Sequence, residues 1–223
     1  EGVRAEDYAD IIAEAAEPDS FVKSPYYAPM GYPHGLYRVG PLARLNVIER
    51  CGTPAADDAL AEFRALSPGK PVSSSFHYHY ARLVEILFAV ERLEQLMGNA
   101  NILETKVRAR ARGNKNRGVG ISEAPRGTLI HDYSIDDEGR ITAVNLVIAT
   151  GHNNLAMNRS VLQVARRYVR GPNPTEGMLN RVEAVIRCFD PCLSCASHEF
   201  GRMPLDVRFL DPKGNELRRV VRK

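Results

Sequence analysis

The chain has 223 residues, 44% hydrophobic and 26% charged, with 30 Lys plus Arg against 27 Asp plus Glu for a formal charge of +3. That is enough polypeptide for one domain with a sizeable core, or two small ones sharing an interface, and it excludes a staple-dependent mini-protein, a disordered tail and a membrane bundle. The slight basic excess makes no case for nucleic acid. No apolar run is long enough for a membrane span and the opening EGVRAEDYAD has no signal-peptide pattern, so a cytoplasmic location is the default expectation.

Residues 4 to 16, RAEDYADIIAEAA, have helix-forming composition with apolar positions every three or four residues, and predict a helix. From Ser24 to Asn46 the prolines at 25, 29, 33 and 41 and glycines at 31, 35 and 40 predict a long connection packed by its tyrosines. Thr53 and Pro54 supply an N-cap and first helical position for a helix through Ala65. A longer helix is predicted over 75–97, where Leu83, Ile86, Leu87, Val90, Leu93 and Leu96 form an apolar stripe expected to build the helical core. The basic stretch from Val107 to Arg117 reads as a solvated strand or loop face, with a subunit or polyanion contact as the alternative.

Two β-prone runs over 128–149, joined by DDEGR, predict a hairpin. Helices follow over 153–169 and 175–189, and the chain ends in PLDVRFL, the turn DPKGN and ELRRVVRK, a compact hairpin or a flexible tail. Residues 199–223 hold seven basic and four acidic side chains, so the whole net charge lies there. The expected class is mainly α with small antiparallel β additions.

The chemistry concentrates in Asp190-Pro191-Cys192-Leu193-Ser194-Cys195-Ala196-Ser197-His198, directly after a helical run. Cys51, Cys188, Cys192 and Cys195 are the only cysteines, and three of them within eight residues do not resemble a disulfide framework. Two cysteines separated by two residues can bring both sulfurs to one side of a turn or helix start and hold one metal ion. Thiol redox chemistry and inert packing are the competing readings; no βαβ unit supports a thioredoxin-like pair and no second Cys-x-x-Cys supports a zinc ribbon. Cys51 and Cys188 read as small hydrophobes. His77 and His79 point to different sides of a helix and do not share a metal from there.

The segment RVEAVIRCFDPCLSCASH, 181–198, resembles the nickel-binding signature of nickel-iron hydrogenase large subunits, Asp-Pro-Cys-x-x-Cys-x-x-His. The blocks 31–46 (GYPHGLYRVGPLARLN), 75–82 (SFHYHYAR), 118–131 (GVGISEAPRGTLIH) and 149–160 (ATGHNNLAMNRS) are similar to the cytoplasmic, bidirectional, NAD-linked branch of that family. The resemblance implies a partial large-subunit-like fold and a Ni-Fe(CN)2CO centre for reversible heterolytic H2 oxidation. Cys192 is implied as a terminal nickel ligand and Cys195 as one bridging to iron. Arg126 is implied over the open metal position, with Asp190 beside it orienting the arginine or relaying a proton. Pro125 is implied near the diatomic ligands, Thr150 as a hydroxyl donor to an iron cyanide, and His198 as the ligand of magnesium or a similar divalent ion.

The same resemblance implies an iron-sulfur small subunit, a flavin module acting on NAD and a maturation endopeptidase as partners, with the iron-sulfur clusters and flavin held there. It also marks what is missing: the family's early Cys-x-x-Cys pair and the glutamate near it have no counterpart in this chain. Together with Glu rather than Met at position 1, this gives the expectation that residues 1–198 are the C-terminal portion of the catalytic domain and 199–223 an extension removed on maturation. A split subunit, a non-catalytic metal-binding or structural descendant and a plain interaction module are the alternatives.

Overall fold

A computed structural model describes residues 2–18, 20–109, 115–171, 173–197 and 205–222. The fold is mainly helical with three small antiparallel sheets. The N-terminal segment departs from the predicted helix. A single 3-10 turn over Ala5–Asp10 leads into β1 (Ile12–Ala15), which pairs with β2 (Ser24–Tyr27) in the register Ile12↔Tyr27 to Ala15↔Ser24. Helical composition is a weak preference in so short a segment. It loses here to strand pairing and to the packing of Tyr8 with Ile130 and Val147 in a small apolar cluster.

The glycine- and proline-rich stretch that follows is ordered, and it contains both β2 and the start of α1 (Pro41–Val47), whose first residue is Pro41. Helix α2 (Pro54–Ala65) begins at Pro54 as the sequence predicts. Its first amides are not capped by the Thr53 side chain. The Ala55 and Ala56 N–H groups donate instead to the Glu91 carboxylate, both at 3.0 Å, from α3 (His77–Met97).

The main core joins Leu42 and Leu45 of α1, Leu60 and Phe63 of α2, Tyr78, Ala81 and Val84 of α3, and, from later in the chain, Ala156, Met157, Cys188 and Phe189. The apolar stripe of α3 does not build this core. Leu83 is 63% exposed, Ile86 52%, Val90 60% and Leu93 60%. The periodicity identifies an apolar face but not its partner: the first two turns of α3 pack through Tyr78, Ala81 and Val84, and the stripe runs along another side.

Strands β3 (Arg117–Ala124), β4 (Gly127–Ile135) and β5 (Ile141–Val147) form an antiparallel sheet in the order β3-β4-β5. The β4–β5 hairpin is the predicted one; β3, rich in glycine and polar residues, carries no comparable signal. Arg117 is paired with Asp132 across the sheet, while Arg110 and Arg112 of the basic stretch lie outside the described residues. The short α4 (Ala149–His152) leads into α5 (Asn154–Tyr168), then come α6 (Glu176–Cys188) and the brief α7 (Leu193–Ser197). Strands β6 (Leu205–Leu210) and β7 (Glu216–Arg222) close the chain as a hairpin, and Arg218 donates to Asn173 at 2.7 Å.

Burial separates two kinds of apolar position. Phe63→Ala in the core is expected to cost about 3–5 kcal/mol, whereas Val90→Ser on the exposed face of α3 should change stability by less than about 0.5 kcal/mol. Urea unfolding of the two variants checks this; equal losses would mean that the α3 stripe is covered within the chain.

Candidate functional site

Helix α6 ends at Cys188 with Phe189 as its C-cap, and Asp190 then takes φ 49°, the one positive φ at a non-glycine residue among the described residues. Aspartate tolerates this left-handed conformation better than most residues, and Pro191 after it cannot continue a helix. The chain therefore reverses and presents Cys192 at the start of α7, where the Ala196 N–H donates to the Cys192 carbonyl at 3.1 Å. This turn puts Cys192 and Cys195 on one side, with Cα atoms 5.4 Å apart and the two sulfurs bonded to each other. The convergence read from the Cys-x-x-Cys spacing is present; holding a metal requires the dithiol form of the pair.

The cysteine loop is held from two directions. The Cys192 N–H donates to Thr150 Oγ1 at 3.1 Å, and Thr150 is only 5% exposed within α4. Since that oxygen accepts, the Thr150 hydroxyl proton remains available to a second group. From the other side Arg126 Nε donates to the Asp190 carbonyl at 2.6 Å and lies 3.0 Å from its carboxylate Oδ2, with Nη2 3.4 Å from Oδ1. The Arg126–Asp190 pair expected from the resemblance is thus formed.

Arg126 and Pro125 are the two-residue tip between β3 and β4, whose last paired residues are Ala124 and Gly127. Gly127 has φ 134°, and a β-carbon there would run into the Val39 side chain. Gly40, at φ 85°, lies so close to the Arg126 carbonyl that a β-carbon would come within 2.9 Å of it. Segment 39–40 is itself fixed: the Val39 N–H donates to Asn153 Oδ1 at 3.0 Å and Tyr78 Oη donates to the Val39 carbonyl at 3.0 Å. Pro125 and Asp190 also line a cleft of about 620 Å³ with Arg44, Leu45, Ile48 and Ile86, next to the exposed face of α3.

The remaining sequence candidates lie elsewhere. His198 falls outside the described residues. His79 is exposed against Arg82, and Cys188 is fully buried with its Sγ 3.2 Å from the Ala184 carbonyl. Burial raises the pKa of both the Cys51 and Cys188 thiols, as expected of inert cysteines. Among the described residues no three His, Cys, Asp or Glu side chains are grouped so as to hold a metal ion.

Sequence reasoning passed over His152. Its Nδ1 is hydrogen-bonded to the Tyr37 hydroxyl, its Nε2 is buried without a partner among the described residues, and burial pushes its pKa down from 6.5 to about 4, against the attraction of Glu123. Nothing in the sequence marks a buried imidazole except the apolar company of 147–157. The native form is neutral, so the unfolded chain binds the extra proton as pH falls below 6.5. The stabilisation is complete above that value and disappears towards pH 4, amounting to a loss of about 2 kcal/mol at pH 5. Urea midpoints at pH 7 and 5 should show this loss, and His152→Gln should flatten it.

Residues 1–198 match the family model for the nickel-dependent hydrogenases. The beta subunit of the NAD-reducing hydrogenase HoxS of Cupriavidus necator is 44% identical over 211 residues, covering 93% of this chain and 43% of that protein. The crystal structure of an NAD+-reducing nickel-iron hydrogenase in the H2-reduced state superposes with a TM-score of 0.81 at 43% identity, over 87% of this chain and 43% of that one. The reduced Ni-Fe-Se hydrogenase of Desulfovibrio vulgaris Hildenborough gives a TM-score of 0.54 at 25% identity, over 81% and 39%. The chain spans less than half the length of the curated relatives it matches. By sequence and by fold, this chain belongs to the nickel-dependent hydrogenase family as a partial large-subunit-like domain.

Proposed function

We propose that this chain is the C-terminal portion of a nickel-iron hydrogenase large subunit and supplies half of the metal centre, Cys192 and Cys195 being two of its thiolate ligands. The observation that carries this reading is the convergence of the two sulfurs beside the Arg126–Asp190 pair, on elements from three separate parts of the sequence. Soft sulfur donors suit nickel and iron, so the residues present fit that group, but as half a donor set. When bound, a Ni-Fe(CN)2CO centre supplies heterolytic H2 splitting with electrons leaving through iron-sulfur clusters.

Around it the chain's own side chains have distinct tasks. Cys192 Sγ is the site where a proton is held, and the Asp190 carboxylate passes it on or keeps Arg126 in place. The Arg126 guanidinium favours negative charge developing over the cysteines. Thr150 fixes the Cys192 backbone and has a hydroxyl proton left to donate to a cyanide, and Pro125 keeps water from the diatomic ligands. His198 would hold magnesium or a similar ion, on the resemblance alone.

The other donors must come from a further polypeptide segment, and the bare apolar face of α3 beside the cleft gives such a segment a place to pack. On this reading the partners are the N-terminal part of the large subunit, an iron-sulfur small subunit and a flavin module acting on NAD. The NAD linkage is supported by the HoxS relative and argues for the cytoplasm; among the described residues no helix is long and apolar enough to cross a membrane. The family match ends at residue 198, which supports 199–223 as an extension removed by a maturation endopeptidase.

One observation favours a second reading, a non-catalytic metal-binding or structural subunit descended from a large subunit: the described residues offer no group of three donors. Metal analysis and H2-dependent NAD+ reduction on the complex purified from its host separate the two. Nickel and iron with turnover, both lost in Cys192→Ser, is the expected result. Nickel without turnover establishes the second reading, and neither metal, with assembly unchanged in Cys192→Ser, leaves a structural role.

A further inference from the structure

The guanidinium of Arg44 has five N–H donors, and the structure uses them all. Nε and Nη2 form a fork on the two Glu85 carboxylate oxygens at 2.6 and 2.8 Å. Nη1 donates to Glu123 and, at 2.9 Å, to the Ala124 carbonyl, and Nη2 also donates to the Pro125 carbonyl at 2.7 Å. One side chain of α1 thus ties α3, the end of β3 and the two peptide carbonyls that immediately precede Arg126. Arg44 therefore reaches the backbone of the β3–β4 tip, whereas Asp190 meets only the Arg126 side chain.

Beyond the Nε bond to the Asp190 carbonyl, Arg126 has little of its own to hold its geometry. Its side chain is 42% exposed and that of Asp190 43%, and an ion pair so open to water contributes little rigidity. The orientation of the Arg126 guanidinium must be inherited from the tip that carries it. That tip is met by Gly40 and Val39, where contact is steric, and by Arg44, where it is a set of directed hydrogen bonds. Arg44 also engages the Glu123 carboxylate, which lines the same cleft as Asp190. Without that engagement Glu123 becomes a rival acceptor for Arg126. Lysine at position 44 keeps the charge but has three donors on one atom and cannot span both carboxylates and both carbonyls.

We infer that Arg44 is a positioning residue for Arg126: it fixes the Pro125-Arg126 tip and occupies Glu123, so that the Arg126 guanidinium stays on Asp190 beside the cysteine pair. The importance of that placement for H2 chemistry rests on the proposed function; the clamp itself does not.

Two measurements separate them. In the full chain, hydrogen exchange of the Arg126 Nε–H, followed by 1H–15N NMR, should speed up by about tenfold in Arg44→Lys, as expected when the order of a charge-assisted hydrogen bond is lost. Glu85→Gln, which breaks the two-oxygen fork that orients Arg44, serves as a second probe if Arg44→Lys fails to fold, and should move the same signal in the same direction. An unmoved Arg126 signal in a folded variant overturns the clamp.

In the purified complex, Arg44→Lys and Arg126→Lys should each lower H2 oxidation, and the double variant should fall within about twofold of Arg126→Lys alone, because Arg44 acts through Arg126. Fully additive losses mean that Arg44 acts by general destabilisation and overturn the inference. Unchanged turnover in Arg126→Lys overturns the proposed role of Arg126 and leaves the clamp to be judged by the exchange measurement.

Discussion

Asp190 is held in a backbone conformation that costs a non-glycine residue about 1 kcal/mol. The reversal it produces carries the cysteine loop back over α4 and under the β3–β4 tip, and Arg126 offsets the cost by binding both the carbonyl and the carboxylate of the same residue. If the turn relaxed, Cys192 would lose its bond to Thr150 and the two cysteines would swing away from the arginine. The same residue thus supplies the turn and the negative partner for Arg126, which glycine, the better turn former, does not.

Residues far apart in the chain converge because each is fixed to something buried. Thr150 sits on a four-residue helix whose side chains are all buried, Asn153 and Tyr78 lock the Val39 backbone, and Val39 and Gly40 in turn bear on Gly127 and Arg126. Pro125 and Asp190 reach the cleft from backbone that these groups hold in place, which is how a site combines access with rigidity.

Elements with strong local punctuation were legible in the sequence. Pro54 at a helix start and the DDEGR turn each state a local preference that nothing else in the fold opposes. Residues 4–16 depart from their helical composition because that preference is weaker than pairing with a strand twelve residues on. The α3 stripe is an apolar face but not core, since periodicity records a face without naming what it meets. At the site, the convergence of Cys192 with Cys195 followed from spacing and the Arg126–Asp190 pair from resemblance. Arg44 is one arginine among many and His152 one histidine among several, and only the fold distinguishes them by what surrounds them.

The uncovered face of α3 has a consequence for the life of the chain in a cell. Five large aliphatic side chains in a row on one helix are a standing invitation to non-specific association, and monomeric proteins seldom leave a patch of that kind in water. Left uncovered, that face favours association over solution, and the fold is soluble to the extent that something lies on it. Whatever covers α3, further sequence of the same protein or another molecule, then serves the solubility of the fold as much as its packing.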